Sequence, residues 1–159
     1  MKEKPLVTVY ITNHNYGRFI DESIKSVLNQ SFKKLELIII DDDSKDNSKK
    51  IINKYANLSN VTTIFQKRKG LAISNNIALK IAKGKYIMRL DADDYLDNYA
   101  IQIMSEYLEK NSNYGLVYPD FYLVDLNGNI INIIRNNKID KNSTLTNPAN
   151  GACTMFRTE

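Results

Sequence analysis

The chain has a single cysteine, Cys153, which excludes an internal disulfide and any cysteine-built metal cluster. A reducing, cytoplasmic setting is the expectation that follows. Long apolar runs are missing as well. No stretch of about 18 apolar residues occurs, so no segment reads as a membrane span, and residues 1–5 lack the apolar core of a secretory leader. The glycine-rich phosphate cradles are absent: no Gly-x-Gly-x-x-Gly follows the first strand-like segment, and no Gly-x-x-x-x-Gly-Lys-Ser/Thr occurs anywhere. Nor is there a strong surplus of one charge. The net charge is +4 and the pI near 9.0, with the basic residues scattered rather than gathered into one block. Nucleic acid is therefore not expected as a partner. A weak attraction to anionic lipid or to a phosphorylated ligand fits this charge, so peripheral association with the inner face of a membrane is compatible with it.

What is present is material for a core. With 159 residues, 43% hydrophobic and 25% charged, the chain is sized for one globular domain. Residues 6–12, 35–40, 61–65 and 86–90 are β-branched and apolar, and read as buried strands. Between them lie helical patterns. Ile20, Ile24, Val27 and Leu28 share one face. Ser44 is the expected N-cap of a second helix carrying Ile51, Ile52 and Tyr55. Gly70 precedes a third, with Ile73, Ile77, Leu79 and Ile81, closed by Gly84. A fourth, over residues 99–109, is expected to turn Ile103, Met104, Tyr107 and Leu108 inward. Short strands follow at 115–118 and 121–125, an Asn127-Gly128 hairpin turn leads into 130–134, residues 136–147 read as a polar loop, and 149–156 as a last strand. Strands alternating with helices imply an α/β fold with a mostly parallel sheet covered on both faces. Ligands of such sheets bind beyond the carboxyl ends of the strands.

Two acidic clusters fall at that edge. Asp41-Asp42-Asp43 ends the second strand, and crowded carboxylates need a cation or hydrogen-bond donors to stay ionised together. A solvated turn explains them as well as a ligand does; on the functional reading, one carboxylate accepts from a ligand N–H while another is held by backbone. Asp91-Ala92-Asp93-Asp94 ends the fourth strand. Hard divalent cations take oxygen ligands, and Mg²⁺ is commonly held by one or two carboxylates plus substrate phosphates. The competing explanation is an acid-rich helix start, or an ion pair with Arg89. Lys67-Arg68-Lys69-Gly70 adds positive charge at the same edge, either as a solvated loop or as a phosphate contact.

The order of these motifs resembles the family-2 glycosyltransferases, which have the GT-A fold. The residues that carry the resemblance are Ile11-Thr12-Asn13-His14-Asn15, Ser26-Val27-Leu28-Asn29-Gln30-Ser31-Phe32, and Ile40-Asp41-Asp42-Asp43-Ser44-Lys45-Asp46. After these come Lys69-Gly70 with Ile73-Ser74-Asn75-Asn76, and Gly84-Lys85-Tyr86-Ile87-Met88-Arg89-Leu90-Asp91-Ala92-Asp93-Asp94. The match is dense from residue 5 to about 125 and fainter over Gly151-Ala152-Cys153-Thr154-Met155-Phe156-Arg157. The resemblance implies a Rossmann-like GT-A domain that takes a nucleotide-diphosphate sugar, a UDP-sugar, and transfers the sugar with inversion to a glycan or lipid-linked acceptor in cell-surface glycan synthesis. By it Asp42 reads the uracil edge beside Thr12, Asp91 meets the ribose, and Asp93 and Asp94 hold Mg²⁺ or Mn²⁺. His14, Asn15, Lys67 and Asn75 complete the implied nucleotide site. His14 stands where a tyrosine is usual, so stacking on the base falls to the imidazole or to Tyr16. Asn75 stands where an arginine is frequent, and Asp43 where the family has glycine at a turn of positive φ, which Asp tolerates better than most residues.

An inverting transfer needs a general base for the acceptor hydroxyl, and the resemblance places it after the match to residues 151–157. No catalytic residue is identified in this chain; Asp120 and Asp125 are spare carboxylates. The expectation is one GT-A domain, truncated on its C-terminal side. Residues 1–98 would be its nucleotide-binding half, and 99–159 the start of its acceptor-side half. The rival reading is a binding module that holds a nucleotide sugar without transferring it.

Overall fold

Aliphatic strands that are apolar on both faces must be covered twice, and the longest strands of the chain form the centre of the molecule. In the computed structural model, which describes residues 4–136 and 153–158, four of them run parallel: β1 (Val7–Asn13), β2 (Leu35–Asp42), β3 (Val61–Gln66) and β4 (Tyr86–Asp91). Two short strands, β5 (Leu116–Val117) and β8 (Met155–Arg157), extend the sheet past β4 to give the order β3-β2-β1-β4-β8-β5. β8 pairs antiparallel to both its neighbours. The chain moves outward from β1 to β2 to β3, then crosses back to place β4 on the other side of β1. The direction of winding therefore reverses between β1 and β4, the place where such sheets open a crevice.

The two-residue period of the strands divides the core. Val7, Val9 and Ile11 of β1, Leu35, Leu37 and Ile39 of β2, and Tyr86, Met88 and Leu90 of β4 face α1 (Ile20–Leu28), α2 (Ser48–Ile52) and α4 (Ala100–Lys110). The alternate residues Tyr10, Ile38, Ile40 and Ile87 face α3 (Leu71–Ile81), which supplies Ala78 with Ile77 and Ile81. Each fully buried Ile or Leu contributes about 1.5–3 kcal/mol, so this double alternation fixes the register. A one-residue slip would send every side chain to the wrong face. By the same alternation Thr12, Asp42, Arg89 and Asp91 belong to the α3 face, and Asn13 and Asp41 to the α1 face.

Several expectations change. Ser44 does not cap α2, which starts at Ser48 after Asn47, because the Ser44 hydroxyl is committed to the 13–15 loop. The helix α3 buries Ser74 and Ala78, while Ile73 and Leu79 are exposed; α4 buries Ile101, Met104, Ser105 and Leu108, while Ile103 and Tyr107 are exposed. Gly84 is not the helix stop, since α3 ends at Ile81. Its role is close approach: a Cβ there would lie 2.5 Å from the Thr8 amide nitrogen. That contact lets Gly84 N–H reach Thr8 Oγ1 (2.9 Å), while Thr8 in turn donates to the buried Glu36 carboxylate (2.7 Å).

The Asn127-Gly128 turn joins β6 (Phe121–Val124) to β7 (Ile130–Ile134) as an antiparallel pair separate from the main sheet. Gly128 takes φ +82°, which glycine adopts at no steric cost. The last strand is shorter than expected, Met155–Arg157. Nearly all of the loop expected over 136–147, and the first part of the strand expected over 149–156, fall outside the described residues.

Candidate functional site

Alternation gives the three acids of the first cluster three different jobs. Asp41 turns to the α1 face and is fully buried. It accepts from Asn13 Nδ2 (2.8 Å) and from the Ser44 amide (3.1 Å). Asp42 turns to the opposite face. Its Oδ1 accepts from Gln66 Nε2 and the Lys69 amide, and its Oδ2 from the Gly70 amide, each at 2.8 Å. Burial pushes the Asp42 carboxyl up, but these donors from Lys69, Gly70 and Gln66 outweigh it and hold its pKa below the usual carboxylate range. Asp43 is partly exposed, paired with Lys45 (2.9 Å), and adopts φ +68°. That is the left-handed turn expected of this position.

The 13–17 loop is laced to this segment. Asn15 N–H donates to Ser44 Oγ (2.9 Å), the Lys45 amide donates to Asn15 Oδ1 (2.7 Å), and the Gly17 amide donates to Asp46 Oδ2 (2.7 Å). His14 Nδ1 lies 2.7 Å from the Asp42 carbonyl oxygen. A carbonyl only accepts, so Nδ1 carries the proton in that contact. His14 Nε2 faces Asn15 Nδ2 (3.0 Å) and the guanidinium of Arg68.

The second cluster is placed by α1. Ser23 Oγ donates to the Asp91 carbonyl (3.2 Å) and Ser26 Oγ accepts from the Leu96 amide (3.1 Å). Gln30, fully buried, donates from Nε2 to the Asp97 carbonyl (2.6 Å) and accepts from the Ile101 amide (3.1 Å). These three residues recur about one helical turn apart along α1 and its C-terminal end, and together they fix the backbone of residues 91–101. Arg89 Nε lies 2.9 Å from Asp91 Oδ1, and Nη2 donates to Oδ2 at 3.2 Å. Asp93 receives no hydrogen bond among the described residues. Asp94 is pushed above the usual carboxylate range, first by loss of solvation and then by the charges of Asp93 and Asp91. Burial, and then the charges of Asp94 and Asp91, push the nearby Cys153 thiol up to about 12.

Between the clusters lies a cleft of about 380 Å³, lined by Thr12, Asn13, His14, Tyr16, Asp42, Arg68, Gly70, Leu71, Ser74, Asp91, Ala92 and Asp93. It opens at the reversal point between β1 and β4, and it unites Thr12, His14, Asp42, Asp91 and Asp93. Asn15, Lys67, Asn75 and Asp94 lie outside the lining. Lys67 is exposed, and Asn75 is half-buried with an Oδ1 that has no partner among the described residues. Of the further residues at the site, Arg68 is expected only as part of the basic run 67–70 and Arg89 only as an ion-pair partner of the second cluster, while Ser74 carries no expected role. Strand alternation carried past Gln66 would have favoured Arg68 over Lys67. A larger groove of about 480 Å³ lies over α1, between Arg18, Asp21, Lys25 and Tyr95, and holds none of the strand-end acids. Asp120 and Asp125 are not spare: Asp120 accepts from the Asn136 amide (2.8 Å), and Asp125 from the Asn127 (2.8 Å) and Asn129 (2.9 Å) amides of the hairpin turn.

Hard oxygen donors of the kind Mg²⁺ and Mn²⁺ take are present in Asp91, Asp93 and Asp94. Among the described residues no three His, Cys, Asp or Glu side chains are disposed to hold an ion by themselves. The donor set thus fits an ion shared with a bound ligand rather than a protein-only cage. No helix among the described residues is long and apolar enough to cross a membrane.

Comparison with known proteins gives a family and a fold. Residues 8–157 match the model of glycosyl transferase family 2. Chondroitin synthase of Escherichia coli is 36% identical over 132 residues, covering 82% of this chain and 19% of that protein. Staphylococcus aureus TarS 1-349 in complex with UDP-GlcNAc superposes with a TM-score of 0.71 at 20% identity, over 96% of this chain and 45% of that one. The mannosyltransferase PcManGT of Pyrobaculum calidifontis, in complex with GDP-Man and Mn²⁺, gives a TM-score of 0.66 at 24% identity, over 73% of this chain and 35% of that one. The chain spans about a fifth of the length of its curated relative.

Proposed function

The chain belongs to glycosyl transferase family 2 and has the GT-A fold; from that premise we propose that the cleft between β1 and β4 binds the nucleotide of a UDP-sugar donor. The observation that carries this reading is the state of Asp42. Its carboxylate lines the cleft, is held ionised, and already accepts from Gln66, Lys69 and Gly70. An ionised carboxylate has about four lone-pair positions, so one acceptor position remains. Uracil presents a single imide N–H on its pairing edge. Guanine presents two adjacent donors there, and cytosine and adenine an amino donor beside an unprotonated ring nitrogen whose lone pair would face the carboxylate. One free acceptor position suits uracil best.

In this reading Thr12 flanks the base, and His14, kept in orientation by Asn15 and the Asp42 carbonyl, offers its ring for stacking with Tyr16 at the rim. Asp91 accepts from the ribose. Asp93, with Asp94 beside it, holds Mg²⁺ or Mn²⁺, which when bound neutralises negative charge on the diphosphate. Arg68 lines the cleft and supplies cationic charge, with Lys67 and Asn75 acting from outside the lining. Every lining residue lies in 12–93, which supports residues 1–98 as the nucleotide-binding half and 99–159 as the start of an acceptor-side half of one domain. The whole reaction we propose is an inverting sugar transfer to a glycan or lipid-linked acceptor in cell-surface glycan synthesis, at the cytoplasmic face of the membrane. None of the described residues is proposed as the general base. The alternative, a module that binds the donor without transfer, is favoured by the commitment of Asp120 and Asp125 to the hairpin; sugar transfer by the chain would reject it.

Competition calorimetry tests the base assignment. UDP is expected to bind at least about tenfold more tightly than GDP or CDP, the worth of one well-placed charged hydrogen bond, and Asp42→Asn to abolish that preference. Equal affinities in the unaltered chain would overturn it.

A further inference from the structure

The second cluster puts three carboxylates in four residues, and the structure does not treat them alike. Arg89 and Asp91 are two apart on β4, so their side chains leave the same face of the sheet. Both guanidinium contacts go to Asp91, one to each oxygen, at 2.9 and 3.2 Å. The Nε–H is poorly aligned for a hydrogen bond, so the first contact is an ion pair and the second a true donor. The Arg89 side chain is 19% exposed. Its backbone is fixed from both sides: β4 pairs with β1 at Tyr10, and the Cys153 amide donates to the Arg89 carbonyl (2.8 Å). Asp93 receives no comparable partner among the described residues, though it lines the same cleft.

We infer that Arg89 is a positioning residue that divides the labour of the cluster, reserving Asp91 for the hydroxyls of the nucleotide and leaving Asp93 to the divalent cation. The inference rests on the nucleotide-site reading above and adds to it the element that separates the two acids. A carboxylate with a guanidinium on both oxygens is a poor partner for a divalent ion, because the two cations repel at close range. It keeps lone pairs for neutral O–H donors, and the paired guanidinium holds it in one orientation. A free Asp91 would swing toward the ion and compete with Asp93 for it.

Calorimetry with uridine, UDP and Mn²⁺ on Arg89→Met and Arg89→Lys separates this from a structural role. For Arg89→Met, uridine affinity measured without metal is expected to fall about tenfold, as for loss of an oriented charged acceptor. The affinity of the UDP-bound chain for Mn²⁺ is expected to rise severalfold, because a positive charge has left the cluster. Arg89→Lys keeps the charge without the fork; it should hold Mn²⁺ affinity near that of the unaltered chain while still weakening uridine. It also serves if Arg89→Met does not fold. Uridine and Mn²⁺ affinities that fall together, or that both stay unchanged, would overturn the inference while the unaltered chain still bound UDP. Failure of the unaltered chain to bind UDP would remove the nucleotide reading and this inference with it.

Discussion

At the end of β2, Asp41 and Asp42 are surrounded by donors: Asn13 and Ser44 on one face of the sheet, Gln66, Lys69 and Gly70 on the other. At the end of β4, Asp91 meets Arg89, and Asp94 is pushed up by loss of solvation and by its acidic neighbours. The same side chain at the same edge of the same sheet is thus met by several neutral donors in one cluster, and in the other by a single guanidinium at Asp91, with no donor to Asp93 among the described residues. Charges satisfied internally serve folding and orientation. Charges left wanting are the ones a cation and a diphosphate can complete. On the proposed reading, the reach of hydrogen-bond donors, rather than the count of acids, separates the carboxylates fixed in place by the protein from those offered to a cation.

The largest effect is expected inside the first cluster. Asp41→Ala strips the acceptor from the buried Asn13 amide and the Ser44 N–H, and should cost about 3 kcal/mol in urea unfolding. A loss within about 0.5 kcal/mol, the range of ordinary surface changes, would show that Asp41 is no more structural than its neighbours. Next in size, Asp42→Asn should weaken UDP binding by about ten- to a hundredfold, the worth of a charged hydrogen bond. It replaces an acceptor with an NH₂ that faces existing donors.

A smaller effect follows from pH. The folded-state pKa of Asp42 lies below its ordinary value of 3.8. The folded state therefore binds the proton less readily than the unfolded chain. Its contribution to stability is fully present above the ordinary value and is lost as pH falls through the depressed pKa. Unfolding experiments should show Asp42→Asn removing part of the acid sensitivity below about pH 4. An acid limb identical to that of the unaltered chain would contradict the hydrogen-bonding account.

Much of this was legible beforehand. Strand runs such as residues 35–40 are apolar at nearly every position, and only burial on both faces explains that, so the parallel sheet and the strand-end clusters could be read directly. The inward faces of α3 and α4 could not. Ile73, Leu79, Ile103 and Tyr107 are apolar yet exposed, and a periodicity argument assigns apolar residues to the core. Ser74 shows the converse: a small polar residue is buried because its hydroxyl accepts from Gln66 Nε2 and donates to the Gly70 carbonyl. Ser44 has the composition of a cap but a tertiary partner across the 13–15 loop, a contact between residues about thirty apart that local sequence does not display. Gly84 looked like a helix stop because the packing against Thr8 that requires it is invisible in one dimension.

The contrast between the clusters is tested most directly by the Mn²⁺-dependent part of UDP affinity in Asp93→Ala, measured by calorimetry beside the unaltered chain. Mn²⁺ is expected to strengthen UDP binding to the unaltered chain, and Asp93→Ala to abolish this gain while its unfolding free energy stays within about 0.5 kcal/mol, the range of ordinary surface substitutions. A Mn²⁺ gain that survives in Asp93→Ala would contradict this expectation.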